Sequence, residues 1–232
     1  RAQAYVIQAW GRLRAAEVKD MERLESIAWS AARRLVDCYH RSERPDWPWF
    51  ESRMTYANAV LPQAMFIAAE HWPQEGFLDV AQASFAFLDR TTTGNGREKV
   101  DVGPEAEAIF WPVGNSDWYS HGEAKSPYDQ QPVEAATMAA AALTAFDMLG
   151  EQQYLAAFRR AHAWFHGQNS LHQPLGDVQC GACCDGLQAS GRNRNQGAES
   201  TLAYLWTELL HEESRLLSVV SCQLRKIRAP CP

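Results

Sequence analysis

Apolar residues recur at spacings of three and four along most of the chain, which is the period of a helix with one buried face. This period predicts helices over approximately residues 2–18, 22–40, 58–71, 75–88, 132–149, 152–166 and 197–211, with a further candidate at 214–226. Pro73, Gly150 and Gly167 stand where three of these helices should end. Candidate strands are few, and short ones are expected only around residues 109–113.

The loops over residues 41–55, 89–129 and 168–195 are long and polar, whereas the other links between predicted helices are short. This alternation is typical of antiparallel helical hairpins. If the short turns share one end of the fold, the long loops gather at the other end and line a cleft. We therefore predict an all-α fold in which helical hairpins form an (α/α) toroid, complete or incomplete, rather than a plain bundle.

Length and composition indicate a globular protein, with 232 residues, 46% hydrophobic and 22% charged. We assign residues 1–213 to a single helical-hairpin domain. Residues 214–232 form an atypical tail, because they are basic, contain two cysteines and include no acidic residue.

The net charge of −6 gives no sign of the basic surface that a nucleic-acid-binding protein needs. No apolar run approaches the ~18 residues of a membrane span, so we expect no membrane partner. Six cysteines are too few for a disulfide scaffold, and we expect reduced thiols and a cytoplasmic location. The sequence begins at Arg1 rather than at a methionine, which leaves open whether residues precede it.

Nine tryptophans are present, and several stand beside proline or glycine in predicted loops, notably Trp47, Trp49, Trp111 and Trp118. An aromatic face in a loop suits a flat, partly apolar ligand such as a sugar ring. The alternative is that each of these rings closes the core over a helix end.

Three polar stretches lead directly into predicted helices. In the first, the aromatic loop from Trp47 contains Glu51 and is followed by Tyr56 and Asn58. A carboxylate beside Phe50, in an apolar setting, suits general-acid chemistry. The alternative is a surface glutamate beside a buried phenylalanine.

The second stretch runs from Asp129 to Glu134. We expect Asp129 to cap the helix, with Pro132 in its first turn and Glu134 favoured there by the helix dipole. The adjacent Gln130 and Gln131 have no such structural role, and their amides both donate and accept hydrogen bonds, which suits the recognition of hydroxyl groups. Capping alone remains the alternative explanation.

The third stretch contains Asp185 and then Asn195, Gln196 and Glu199 at the start of the next helix. The spacing Gln-x-x-Glu occurs at 131–134 and again at 196–199. Two such helix starts facing one cleft would place amides, carboxylates and aromatic rings together. Glycoside hydrolysis needs two carboxyl groups on opposite sides of the scissile bond.

Two further groups invite a metal-site interpretation, namely Cys180-x-x-Cys183 and the pair His162 and His166. The cysteines lack a second half-site at the spacing of a zinc finger, and the histidines lack the glutamate of an HExxH motif. We therefore predict buried thiols, histidines at a helix end, no metal and no cofactor. No glycine-rich nucleotide loop and no GxSxG motif is present.

A resemblance to a known family extends across about residues 45–210. It is carried by four runs, which are Trp49-Phe-Glu51, Tyr128-Asp-Gln-Gln-Pro-Val-Glu134, Cys183-Cys-Asp-Gly186 and Asn193-Arg-Asn-Gln-Gly-Ala-Glu-Ser-Thr201. The chain resembles an all-helical bacterial domain attached to, or encoded near, glycosyltransferases and mannoside phosphorylases. That domain is similar in outline to the six-hairpin (α/α) glycosidase superfamily. The resemblance implies an association with carbohydrates and with a glycosyltransferase partner.

We therefore expect a carbohydrate-active protein, in the first place a glycoside hydrolase-like enzyme acting on an oligosaccharide. The alternative is a non-catalytic carbohydrate-binding or scaffolding domain that serves a glycosyltransferase. The catalytic candidates are Asp129, Glu199, Glu134 and Glu51. The substrate-binding candidates are Trp49, Tyr56, Asn58, Trp111, Trp118, Gln130, Gln131, Asp185, Asn195 and Gln196.

Overall fold

The computed structural model describes residues 1–19, 21–94 and 108–228, with side chains as far as residue 215. Seven α-helices lie within these residues: α1 (Ala2–Ala15), α2 (Glu22–Ser42), α3 (Val60–His71), α4 (Phe77–Thr92), α5 (Pro132–Leu149), α6 (Gln152–Phe165) and α7 (Ala198–Arg228). A short 3₁₀ helix, Pro73–Glu75, precedes α4. The fold is therefore mostly helical, as predicted.

Strands are confined to three antiparallel pairs in the described residues. They are β1 (Arg53–Met54) with β4 (Tyr119–Ser120), β2 (Thr93–Gly94) with β3 (Ile109–Phe110), and β5 (Gly186–Gln188) with β6 (Gly191–Asn193). The predicted strand at 109–113 is therefore present as β3. Residues 95–107 of the predicted loop lie outside the described residues.

Two predicted helix boundaries are wrong. The helix predicted over 75–88 continues to Thr92, and the separate helices predicted at 197–211 and 214–226 form the single helix α7. Neither glycine nor proline interrupts residues 198–228, so the helix has no reason to stop at the predicted break. The proposed domain boundary at 213 stays a prediction.

The helices pair as hairpins, α1 with α2, α3 with α4, and α5 with α6. Contacts also join α1 to α3, α3 to α5, and α5 to α7. The odd-numbered helices therefore lie side by side in chain order, with α2, α4 and α6 packed against them. This order places α3 and α5 in the interior, where most residues of both are buried.

Helix α5 shows why the sequence folds in this way. Six of its eight residues from Ala135 to Ala142 are alanines, and these small side chains let neighbouring helices approach closely. Gly150 ends the helix in the left-handed conformation (φ 72°), and its N–H donates to the carbonyl of Phe146 at 2.7 Å, as predicted for a C-terminal glycine. The prediction that Asp129 caps this helix is wrong, because the cap position belongs to Gln131.

None of the helices described here combines the length with the apolar character that crossing a bilayer requires.

The loop before α5 folds back on itself at Gly114. The Gly114 N–H donates to the Ser126 carbonyl at 2.8 Å, and the Asn115 N–H donates to that of Asp129 at 3.0 Å. A Cβ at Gly114 would lie 1.7 Å from the carbonyl oxygen of Tyr128, which only a shift of backbone could relieve. Glycine is therefore required at this position by close backbone contact.

We expect Gly114→Ala to lower the free energy of unfolding by roughly 3 kcal/mol or more, because backbone must move to admit the methyl group. Gly11→Ala is the matched control. Its Cβ would meet only the Cγ2 of Ile67, at 2.9 Å, and alanine favours the α1 helix. Urea unfolding of the two variants tests this difference. Equal stabilities of the two variants would contradict the close approach at Gly114.

Candidate functional site

The three polar stretches meet at the starts of α5 and α7. The Asn58 Nδ2 donates to Glu134 Oε2 at 3.1 Å, the Tyr56 hydroxyl lies 3.4 Å from Glu199 Oε2, and the Gln130 N–H donates to the Leu187 carbonyl at 2.9 Å. We call the resulting group the junction cluster. Its members are Arg1, Tyr5, Glu51, Tyr56, Asn58, Glu134 and Glu199.

Glu134 lies at the buried base of the junction cluster. Its carboxylate accepts hydrogen bonds from the backbone N–H groups of Ala57 and Asn58 and from the Asn58 side chain. Ala57 has a positive φ of 45°, an uncommon conformation for alanine, and this turns two successive N–H groups toward one carboxylate. Burial raises the pKa of Glu134 to about 7, although the hydrogen bonds from Asn58 and Ala57 act to lower it.

Arg1 joins the loop over residues 51–58 to the start of α1. Its guanidinium forms an ion pair with Glu51 and donates to Asn58 Oδ1 at 3.1 Å and to the Tyr56 carbonyl at 2.7 Å. The Asn58 side chain is buried, and both its amide nitrogen and its oxygen are used within the protein. Glu51 and Asn58 therefore serve the local structure.

The outer side of the junction cluster faces solvent. Tyr56 is 37% exposed and Tyr5 is 43% exposed, and Glu199 is exposed beside them. Partial burial, followed by the charge of Glu199, raises the pKa of Tyr56, so its hydroxyl remains a hydrogen-bond donor at neutral pH. This side offers two aromatic rings and one carboxylate to a ligand.

The two Gln-x-x-Glu repeats have opposite environments. Glu134 is buried because α5 is covered by the loop over 55–58, whereas Glu199 is exposed because α7 lies at the edge of the row of odd-numbered helices. No side-chain hydrogen bond of Gln131 or Gln196 is found within the described residues. Both amides are therefore available to a ligand.

Asp185 and Asn195 hold each other across the loop before α7. The Asn195 amide donates to Asp185 Oδ2, and the Gly197 N–H donates to Asp185 Oδ1 at 2.6 Å. The hydrogen bond from Asn195 is the main reason that the pKa of Asp185 is lowered. A sugar would have to displace these contacts, so the structure gives both residues a role in positioning α7.

The side chains of two further sugar-binding candidates lie in the interior of the protein. Gln130 is fully buried; its amide nitrogen donates to Pro127 and Ser170, and its oxygen accepts from the Trp164 indole at 3.0 Å. Trp49 is also fully buried, packed against Phe50 and Phe87, and offers no free face.

The remaining candidates lie outside the junction cluster. In the described part of the chain, no hydrogen bond or ion pair of the Asp129 side chain links it to that cluster. Trp111 is partly buried, and its indole donates to the Pro127 carbonyl at 2.9 Å. Trp118 is also partly buried, packs against the core and has a positive φ of 60°. Their part in ligand binding stays a prediction.

Sequence reasoning missed Arg1 and Tyr5, which α1 brings to the junction cluster from the far end of the chain. They are four residues apart, so both lie on one face of the helix. An exposed tyrosine beside an arginine at this spacing was the available signal. This signal could not indicate which residues Arg1 and Tyr5 contact, because nothing in the sequence indicates that α1 packs against α3.

No protein-family profile matches the chain, and a comparison with curated proteins finds no significant relative.

The buried carboxylate predicts a pH dependence of stability. The folded protein holds a proton on Glu134 up to about pH 7, whereas the unfolded chain releases it near the ordinary value of 4.5. The folded state therefore binds more protons between these values, and its stability falls as the pH rises through this window. Relative to Glu134→Gln, we expect the wild type to lose roughly 3 kcal/mol between pH 4 and pH 8.

Urea unfolding of both proteins at several pH values measures this difference. The control is Glu199→Gln, which makes the same substitution at the exposed glutamate of the second Gln-x-x-Glu repeat. Comparison of the two variants separates the effect of burying the carboxyl group from the effect of removing one charge. A difference between wild type and Glu134→Gln that is constant with pH would contradict the assignment.

Proposed function

We propose that the chain is a carbohydrate-active protein that binds an oligosaccharide on the exposed side of the junction cluster. The observation that carries this proposal is the meeting of Tyr56 and Glu199 at the surface. They are 143 residues apart in the chain, and the hydroxyl and the carboxylate lie 3.4 Å from each other.

The chemistry of this surface fits a sugar. The rings of Tyr5 and Tyr56 supply apolar faces that carry a polar group, which suits the alternating apolar and hydroxylated surfaces of a pyranose. The Glu199 carboxylate can accept hydrogen bonds from sugar hydroxyls, and the amide of Gln196, in the loop just before α7, can both donate and accept. The negative charge of Glu199 also disfavours an anionic ligand at this position.

Binding is better supported than hydrolysis. A glycosidase needs two carboxyl groups that reach the scissile bond from opposite sides. Glu51 is engaged by Arg1, and Glu134 is buried beneath three hydrogen-bond donors. Glu199 is exposed, accepts a hydrogen bond from Tyr56 and forms no ion pair within the described residues, so it is the acid of the junction cluster best placed to act on a ligand. We therefore place the non-catalytic alternative first.

The finer architecture belongs to the same proposal. Support comes from the order of contacts, in which the odd-numbered helices follow one another and α2, α4 and α6 pack against them, as the inner and outer layers of an (α/α) toroid would. We propose an incomplete toroid of this kind. A glycosyltransferase partner and a cytoplasmic location rest on the sequence resemblance and on the cysteine content alone.

Isothermal titration calorimetry against a panel of manno- and gluco-oligosaccharides tests the binding proposal. We expect saturable binding by the wild type and about a fivefold weaker affinity for Tyr56→Ala and for Glu199→Gln, since each removes roughly 1 kcal/mol of contact. Glu212→Gln is the matched control, because it removes an exposed acid from the same helix, where Glu212 pairs with Arg215.

Analysis of the sugars after incubation separates the two functions. Intact sugars with saturable binding support the binding domain. Release of products, abolished by Glu199→Gln, would instead establish the hydrolase. Absence of heat for every sugar, or equal affinities for the wild type and both cluster variants, would overturn the proposed surface.

A further inference from the structure

A second group of functional side chains lies between α6 and α7, away from the junction cluster. His162 and His166 are one turn apart on α6, and Glu208 faces them from α7. Glu208 follows Glu199 by nine residues, which is about 14 Å along a helix. The two groups are therefore separate sites.

We propose that His162, His166 and Glu208 form a binding site for a divalent transition-metal ion, of which Zn²⁺ is the best fit. The two imidazole Nε2 atoms and one carboxylate oxygen point at a common position. Imidazole and carboxylate are ordinary ligands of zinc, and two histidines with one glutamate form a set found at catalytic zinc sites.

The distances fit tetrahedral coordination. Nε2 of His162 lies 3.3 Å from Nε2 of His166, and Oε1 of Glu208 lies 3.1 Å and 2.8 Å from these two nitrogens. Zinc bonds of about 2.0–2.1 Å at tetrahedral angles separate neighbouring ligand atoms by about 3.3 Å. Only movements of a few tenths of an ångström are needed to admit the ion.

The surroundings hold the ligands in place. The His162 ring stacks on His211, parallel within 7° at a centroid distance of 4.0 Å, and the Phe158 ring lies beside it at 6.2 Å with an interplanar angle of 20°. Rigid support of this kind reduces the entropy lost on binding.

The site also has an entry path. The His162 side chain is 15% exposed, while His166 and Glu208 are 33% and 31% exposed. An ion can therefore reach the three ligands from solvent, and a water molecule can complete the fourth position. An open fourth position is typical of zinc sites that act on a bound molecule.

Isothermal titration calorimetry with Zn²⁺ tests the proposal. The full chain is first treated with a chelator to remove bound metal and is then titrated with the ion. We expect one ion per chain for the wild type, and an affinity on the order of 100-fold weaker for His166→Ala and for Glu208→Gln. His40→Ala is the matched control, since His40 lies 2.8 Å from Glu43 in a histidine–glutamate pair that has no second histidine. Circular dichroism verifies that each variant is folded.

Cobalt spectroscopy distinguishes this site from the thiols of the chain. Co²⁺ held by imidazole and carboxylate gives visible bands without a thiolate-to-metal charge-transfer band. The proposal is overturned if the wild type binds no Zn²⁺, if both variants bind it as the wild type does, or if the cobalt spectrum shows thiolate ligands and is unchanged in His166→Ala.

Discussion

The burial of helix α5 on every side determines how the polar residues around it are arranged. Its small side chains let neighbouring helices close over the first turn, so the polar groups there must find partners within the protein. An unpaired buried group costs about 1–3 kcal/mol. The loop over 55–58 therefore donates to Glu134, and Trp164 and Ser170 satisfy Gln130. These contacts are sufficient to explain why distant loops meet.

Most of the helices could be predicted, because periodicity and end signals are local properties of a sequence. The bounds of α5 agree with the prediction, since Pro132 begins the helix and Gly150 ends it. The order in which helices pack is not local. Sequence could not tell that α5 would be enclosed while α7 would lie at an edge, and this order decides that Glu134 is buried and Glu199 exposed.

The same packing order explains why several residues that were predicted to contact a ligand instead form hydrogen bonds within the protein. Asparagine and glutamine bind sugars through paired donors and acceptors, and tryptophan through its ring face and one indole donor, but these groups also satisfy polar groups inside the protein. In Asn58 and Gln130, both the amide nitrogen and the amide oxygen form hydrogen bonds within the protein. Residue type therefore predicted where polar chemistry gathers, and packing decided which residues face solvent. Tyr56 is the predicted aromatic residue whose hydroxyl reaches an exposed acid.

The histidines of α6 show the same limit of local information. The spacing of His162 and His166 was visible in the sequence, but the third ligand is 42 residues away on another helix and belongs to no recognised motif. A pair at i and i+4 is common on helix surfaces, so spacing alone gives weak support for a metal. Convergence of Glu208 on both nitrogens is a stronger argument. Three ligand atoms on two packed helices are placed by the fold itself, before any ion binds.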